Sequence, residues 1–131
     1  MIKVNVEDYK LLAAWAADCA EHVLIFFEQN HKEDDRPRKA VEAAKAWADG
    51  KIKMTEARMF AFAAHTAARE AHSQQAKAAA RSAGHAAATA HVASHAKHAA
   101  SYALKASNNA EAEREWQLQR LLQHLRVLIE L

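Results

Sequence analysis

Glycine and proline are scarce, with two and one respectively among 131 residues. Turns and sheets draw on both, so their scarcity points to helices joined by short connections. Cys19 is the single cysteine, which excludes an intramolecular disulfide framework and suits a reducing compartment. Long apolar runs are missing too: "VLIFF", Val23 to Phe27, is too short to span a bilayer. The opening "MIKVNVEDYK" carries charges of both signs where a signal peptide would have an apolar core. Nor is there the dense basic stripe of a nucleic-acid binder, because the formal charge is only +2 and Lys, Arg, Asp and Glu are interleaved. These absences together predict a cytoplasmic protein that engages neither membrane nor nucleic acid. A mildly basic pI of 8.8 leaves room for weak attraction to acidic partners.

What is present is alanine and helical periodicity. The length suits one domain, residues 1–131, with space for a real core. Asn5 and Asp8 mark the start of a first helix running to about Asn30, with Leu11, Leu12, Trp15, Cys19, Val23, Phe26 and Phe27 on one face. Asp35 is the predicted cap of a second helix, with Pro37 in its first turn and Gly50 past its end. A third begins at Thr55. Ser73 either restarts the chain as a fourth helix or lies within one long rod, and Gly84 is a candidate kink. Asn108 and Glu111 stand at capping-box spacing before a last helix bearing Trp116, Leu118, Leu121, Leu122, Leu125 and Leu128. The prediction is an all-α, compact, single-domain bundle of about five helices. Its Ala-rich third and fourth helices should form the centre, because facing alanine surfaces allow close approach.

The segment Gly84 to Ala106, "GHAAATAHVASHAKHAASYALKA", concentrates histidine. At about 100° per residue, His91, His95 and His98 fall within about 60° of one another, and Tyr102 continues the stripe. His65, Arg69 and His72 form a second stripe on the third helix, and antiparallel packing would let the two meet as a polar seam. Histidines at i and i+4, such as His91 and His95, can share a metal ion, so a metal- or small-molecule-binding bundle using His91, His95 and His98 is the alternative to a hydrogen-bonded seam. The seam offers no carboxylate or cysteine to complete a site. Only Glu28 and His31 match the Glu-x-x-His spacing of di-iron bundles. Cys19 and His22 are three apart, but Cys19 lies in the apolar stripe and no third orienting group is evident, which argues against nucleophilic catalysis.

Taken together, "WAADCAEHVLIFFE", "DDRPRKAVEAAKAWADGK", "EARMFAFAAHTAARE", "AARSAGHAAATAHVASHAKHAASYALKA" and "EREWQLQRL" resemble the Imm-type immunity proteins of family five. Specificity rests on "DDRPR", on Trp47 and Gly50 after it, and on "AGHAAATAHV". The resemblance implies an all-α, non-enzymatic protein without a cofactor that binds and neutralises a cognate bacterial toxin domain. Two surfaces are candidates for that contact: the junction of Asp35, Arg36 and Arg38, and the seam of His65, Arg69, His72, His91, His95 and Tyr102. A homodimer built on Ala-rich packing is compatible with either.

Overall fold

The computed structural model describes residues 4–129. Among these residues there are eight α-helices and no strands: α1 (Val6–Val23), α2 (Ile25–Glu28), α3 (Arg36–Ala48), α4 (Met54–Glu70), α5 (Gln74–Ala88), α6 (His95–Ala106), α7 (Ala110–Gln119) and α8 (Arg126–Ile129), with a 3₁₀ turn at Gln123–Leu125 before the last. The expected all-α class holds, but about five helices understates the count. Three breaks account for the difference. The first helix is interrupted at Leu24. Ser73 does restart the chain, which rules out the single long rod, and the fourth helix is itself cut at 89–94. The last helix stops at Gln119 and resumes as two short turns.

The predicted start and stop signals mostly operate. Asn5 Oδ1 accepts from the Asp8 amide at 2.8 Å, and Ser73 Oγ accepts from the Ala76 amide at 3.0 Å. Gly50 takes φ +75°, which lets its own amide reach Trp47 and the Lys51 amide reach Ala46 behind it. Of the two remaining caps, one lacks its side-chain bond and the other differs by one residue from expectation. Asp35 occupies the cap position of α3 without a capping bond, and Asp34 Oδ1 instead accepts from the Arg36 amide at 3.1 Å. Asn109 caps α7 by accepting from Ala112, while Asn108 accepts from the Gln75 side chain.

Alanine fills most of one contiguous core, in which the largest fully buried side chains are Phe27, Leu12, Leu24 and Leu125. Small side chains let helix axes approach to the short end of the usual spacing. α5 is the central helix, packing against α1, α2, α3, α4 and α6. By contrast α4 packs chiefly on α3 and α5, so it is an outer helix and Met59 and Phe62 on it are 71% and 58% exposed. α5 and α6 run antiparallel: Gln75 bonds the Ala106 carbonyl, Ser82 the Ala99 carbonyl and His85 the ring of His95, one number rising as the other falls.

The leucine stripe expected of the last helix is buried in part: Leu121 and Leu125, which follow α7, lie in the core, and Leu128 packs against it. α7 buries Glu113 and Gln117, whereas Leu122 is 53% exposed. Both polar side chains are partnered, which is the condition for burying them. Gln117 Nε2 donates to the Ala100 carbonyl at 3.0 Å, and the Gln117 carbonyl accepts from Trp15 Nε1 at 2.8 Å. Glu113 lies 2.8 Å from His22 Nδ1.

Candidate partner-binding face

The junction residues of "DDRPRK" are engaged inside the molecule. Arg36 forks onto Asp34 at 2.9 and 2.7 Å and reaches Glu70 of α4 at 2.8 Å. Arg38 forks onto Glu28 of α2 at 2.7 and 2.6 Å. These bidentate pairs fix the start of α3 to its neighbours, and the Asp34 carboxyl is held below its usual range chiefly by the Arg36 hydrogen bond. Glu28 is thereby occupied, and the carboxylate of the Glu28/His31 pair points to an arginine. Asp35 is exposed and pairs with Lys39 at 3.3 Å.

The histidines divide differently from the predicted stripes. His65, His95 and Tyr102 do come together, and the residue that joins them is His85 of α5. Its ring lies 4.9 Å from His65, 5.1 Å from His95, 5.3 Å from His98 and 5.3 Å from Tyr102, stacked on the last with only 9° between planes. α5 therefore stands between α4 and α6, and the seam is a three-helix cluster. Arg69 is exposed and donates to Thr66 Oγ1 at 2.9 Å. His72 lies outside the cluster, tilted against His31 at 5.0 Å. His91 is exposed in the turn between α5 and α6, so it shares no helical face with His95. Among the described residues no group of three or more His, Cys, Asp or Glu is arranged to hold a metal ion. The His91/His95/His98 alternative thus loses the helical spacing that motivated it.

Gly84 does not end the helix, and α5 continues through it to Ala88. Its role is to make room: a Cβ there would lie 2.7 Å from Cε1 and Nε2 of His65. The imidazole of His65 lies where a side chain would otherwise stand. Arg81 NH1 lies 2.8 Å from His65 Nδ1. Arginine can only donate, so Nδ1 accepts and the neutral ring carries its proton on Nε2. Burial first, then the charge of Arg81, lowers the His65 pKa to about 4. Burial and the neighbouring His65, His95 and His98 rings lower His85 to about 3, and His95 is lowered by burial, His98 and His91. His65 and His85 are therefore neutral at pH 7, and the 2.9 Å contact between His85 Nδ1 and His95 Nδ1 is one nitrogen donating to the other.

Beside the cluster, Gln74, Lys77, Ala78 and Arg81 of α5 face Tyr102 and Lys105 of α6 across a groove of about 320 Å³. Lys105 Nζ lies 4.6 Å over the Tyr102 ring. Among the described residues, no ion pair with a carboxylate is made by Lys77, Arg81 or Lys105. The sequence explains why. No Asp or Glu occurs between Glu70 and Glu111, while Lys77, Arg81, Lys97 and Lys105 all fall there. The rest of the chain carries 14 cations against 16 acids. The charges are thus interleaved only on average, and the α5–α6 pair is wholly cationic. His85, Arg81, Lys77 and Lys105 were not among the residues singled out from sequence. The acid-free interval was the available signal; their convergence depended on the antiparallel register.

Cys19 is fully buried, and burial pushes its thiol well above the usual range. His22 is engaged by Glu113, with its ring stacked 3.6 Å from that of Trp116. Arg120 lies 3.9 Å over the same indole. No helix among the described residues is long and apolar enough to cross a membrane.

Residues 3–124 match the family described as "Imm-5 like putative immunity protein". No curated protein and no solved structure matches the chain.

Proposed function

From its membership of the Imm-5 like immunity protein family, we propose that this chain acts by binding a protein toxin and blocking it, without catalysing a reaction. The observation that carries the reading to a surface is the acid-free α5–α6 pair. The imidazole cluster of His65, His85, His95 and His98 holds that surface, and His91 and Tyr102 border it. A rigid helical surface suits an inhibitor, since little conformational freedom is lost on binding. Complementary charge steers encounter and selects partners, so the cognate toxin should present acidic groups to this face. We place this activity in the cytoplasm, in a single domain, with Cys19 reduced and buried.

Co-expression with the toxin domain encoded beside this gene tests the reading. Restored growth, with both proteins recovered as one complex after purification, is the expected result. Continued killing while this protein is present in the cell and unbound would reject it. Light scattering of the purified protein and of the complex would show whether a homodimer forms before or instead of the toxin contact.

A further inference from the structure

We propose that the groove between α5 and α6 is a carboxylate-binding subsite, in which Lys77, Arg81 and Lys105 receive aspartate or glutamate side chains of an acidic protein surface. The inference rests on the immunity reading for the partner's identity, and on the groove itself for the chemistry.

Lys77 and Arg81 are four residues apart on α5, so they stand on one helical face and repel each other. Across the groove, Tyr102 and Lys105 are three apart on α6. A fold that places like charges together without an internal acid leaves their repulsion to be relieved by an anion from outside. Arg81 spends one donor on His65 and has others left. Because His65 is neutral and accepts, this contact leaves the full charge of Arg81 uncompensated. The cluster therefore positions Arg81 without quenching it.

A protein carboxylate fits this groove better than a nucleic acid does. Single-stranded nucleic acid binding uses aromatic faces on which bases stack. The one aromatic ring here, Tyr102, already carries His85 stacked on it and Lys105 over it. The cations are also few and local, where a nucleic-acid site would extend them along a backbone. A volume of about 320 Å³ accommodates one or two acidic side chains.

The test compares toxin binding by the wild type, by Lys77→Glu/Lys105→Glu, and by Lys32→Glu/Lys53→Glu, which makes the same charge change at exposed positions elsewhere. Arg81 is left intact because it holds His65. Affinity at least tenfold weaker for the groove variant alone, with the wild-type complex weakening steeply as salt rises, is expected. A groove variant that binds the toxin as tightly as wild type overturns the subsite while the immunity reading stands. If the wild type fails to bind the toxin, that reading fails, and the subsite is judged separately by NMR titration with a hexaglutamate peptide. Saturable shifts around Lys77 and Tyr102, absent in the groove variant, would uphold it; no shifts would overturn it. Stronger shifts with a hexathymidylate strand would assign the groove to nucleic acid and overturn the protein partner. Should the Glu variant fail to fold, Lys77→Gln/Lys105→Gln serves in the same comparison.

Discussion

Replacing Gly84 with alanine puts a methyl group where the His65 ring now lies, within 2.7 to 2.9 Å of three ring atoms. Real Cβ contacts are not that short, so the ring must tip or α4 must move outward. The ring is tethered at Nδ1 by Arg81 and cannot swing freely. Overpacking of this kind costs about 1–3 kcal/mol. Set against it, alanine is favoured over glycine in a helix interior by about 1 kcal/mol. The net effect expected for Gly84→Ala is a destabilisation of about 0–2 kcal/mol. The informative comparison is the same substitution in a His65→Ala background, where the obstacle is gone and only the propensity remains. There Gly84→Ala should stabilise by about 1 kcal/mol. Urea unfolding of the wild type, both single variants and the double variant yields the coupling directly. Equal effects of Gly84→Ala in the two backgrounds, within about 0.5 kcal/mol, would refute the assignment of Gly84 as the seat of His65.

Acid should weaken the fold through the same cluster. His65 and His85 titrate at about 4 and about 3 in the folded protein, below the ordinary histidine value of 6.5. As pH falls below 6.5 the unfolded chain takes up protons first, so stability is full above that pH and declines down to about pH 3. The slope should be about 1–2 kcal/mol per pH unit, after discounting for the partial exposure of both rings. Urea midpoints at pH 7.5 and 5 would measure it, and a flat profile would contradict neutral burial of the pair. Ser82→Ala removes the 2.7 Å bond to the Ala99 carbonyl at the buried α5–α6 contact and should cost about 1 kcal/mol by thermal melting. The Cys19 thiol should resist a thiol-reactive disulfide reagent in native buffer and react only as the protein unfolds, since it is both buried and hard to ionise.

Local signals were legible to the extent that they are local. The Asn5 cap, the left-handed Gly50 and Pro37 in the first turn of α3 depend on residues within one helical turn and operate where expected, and the Ser73 cap decides between a restart and one long rod. Asp35 stands at its cap position without a side-chain bond, the neighbouring Asp34 taking the Arg36 amide, and Asn108 misses by one position because Asn109 offers the same chemistry. The turn at 89–94 contains neither glycine nor proline and shows no positive φ, so no breaker announced it. It forms because folding α5 back on α6 buries two alanine faces that a continuous rod would leave in water.

The sequence by itself determined an all-helical chain, the alanine content that permits close packing, and an interval from Glu70 to Glu111 that no acid can neutralise from within. The tertiary structure alone decided which histidines meet. Periodicity along one helix grouped His91 with His95 and His65 with His72, yet contacts form between helices, and His85 became the hub because α5 lies between α4 and α6. It likewise decided that Arg36 and Arg38 are tied to Glu70 and Glu28, while among the described residues Lys77, Arg81 and Lys105 make no ion pair with an acid. Whether a charged side chain is paired depends on what lies opposite it across a helix interface, and that register is a property of the packed molecule.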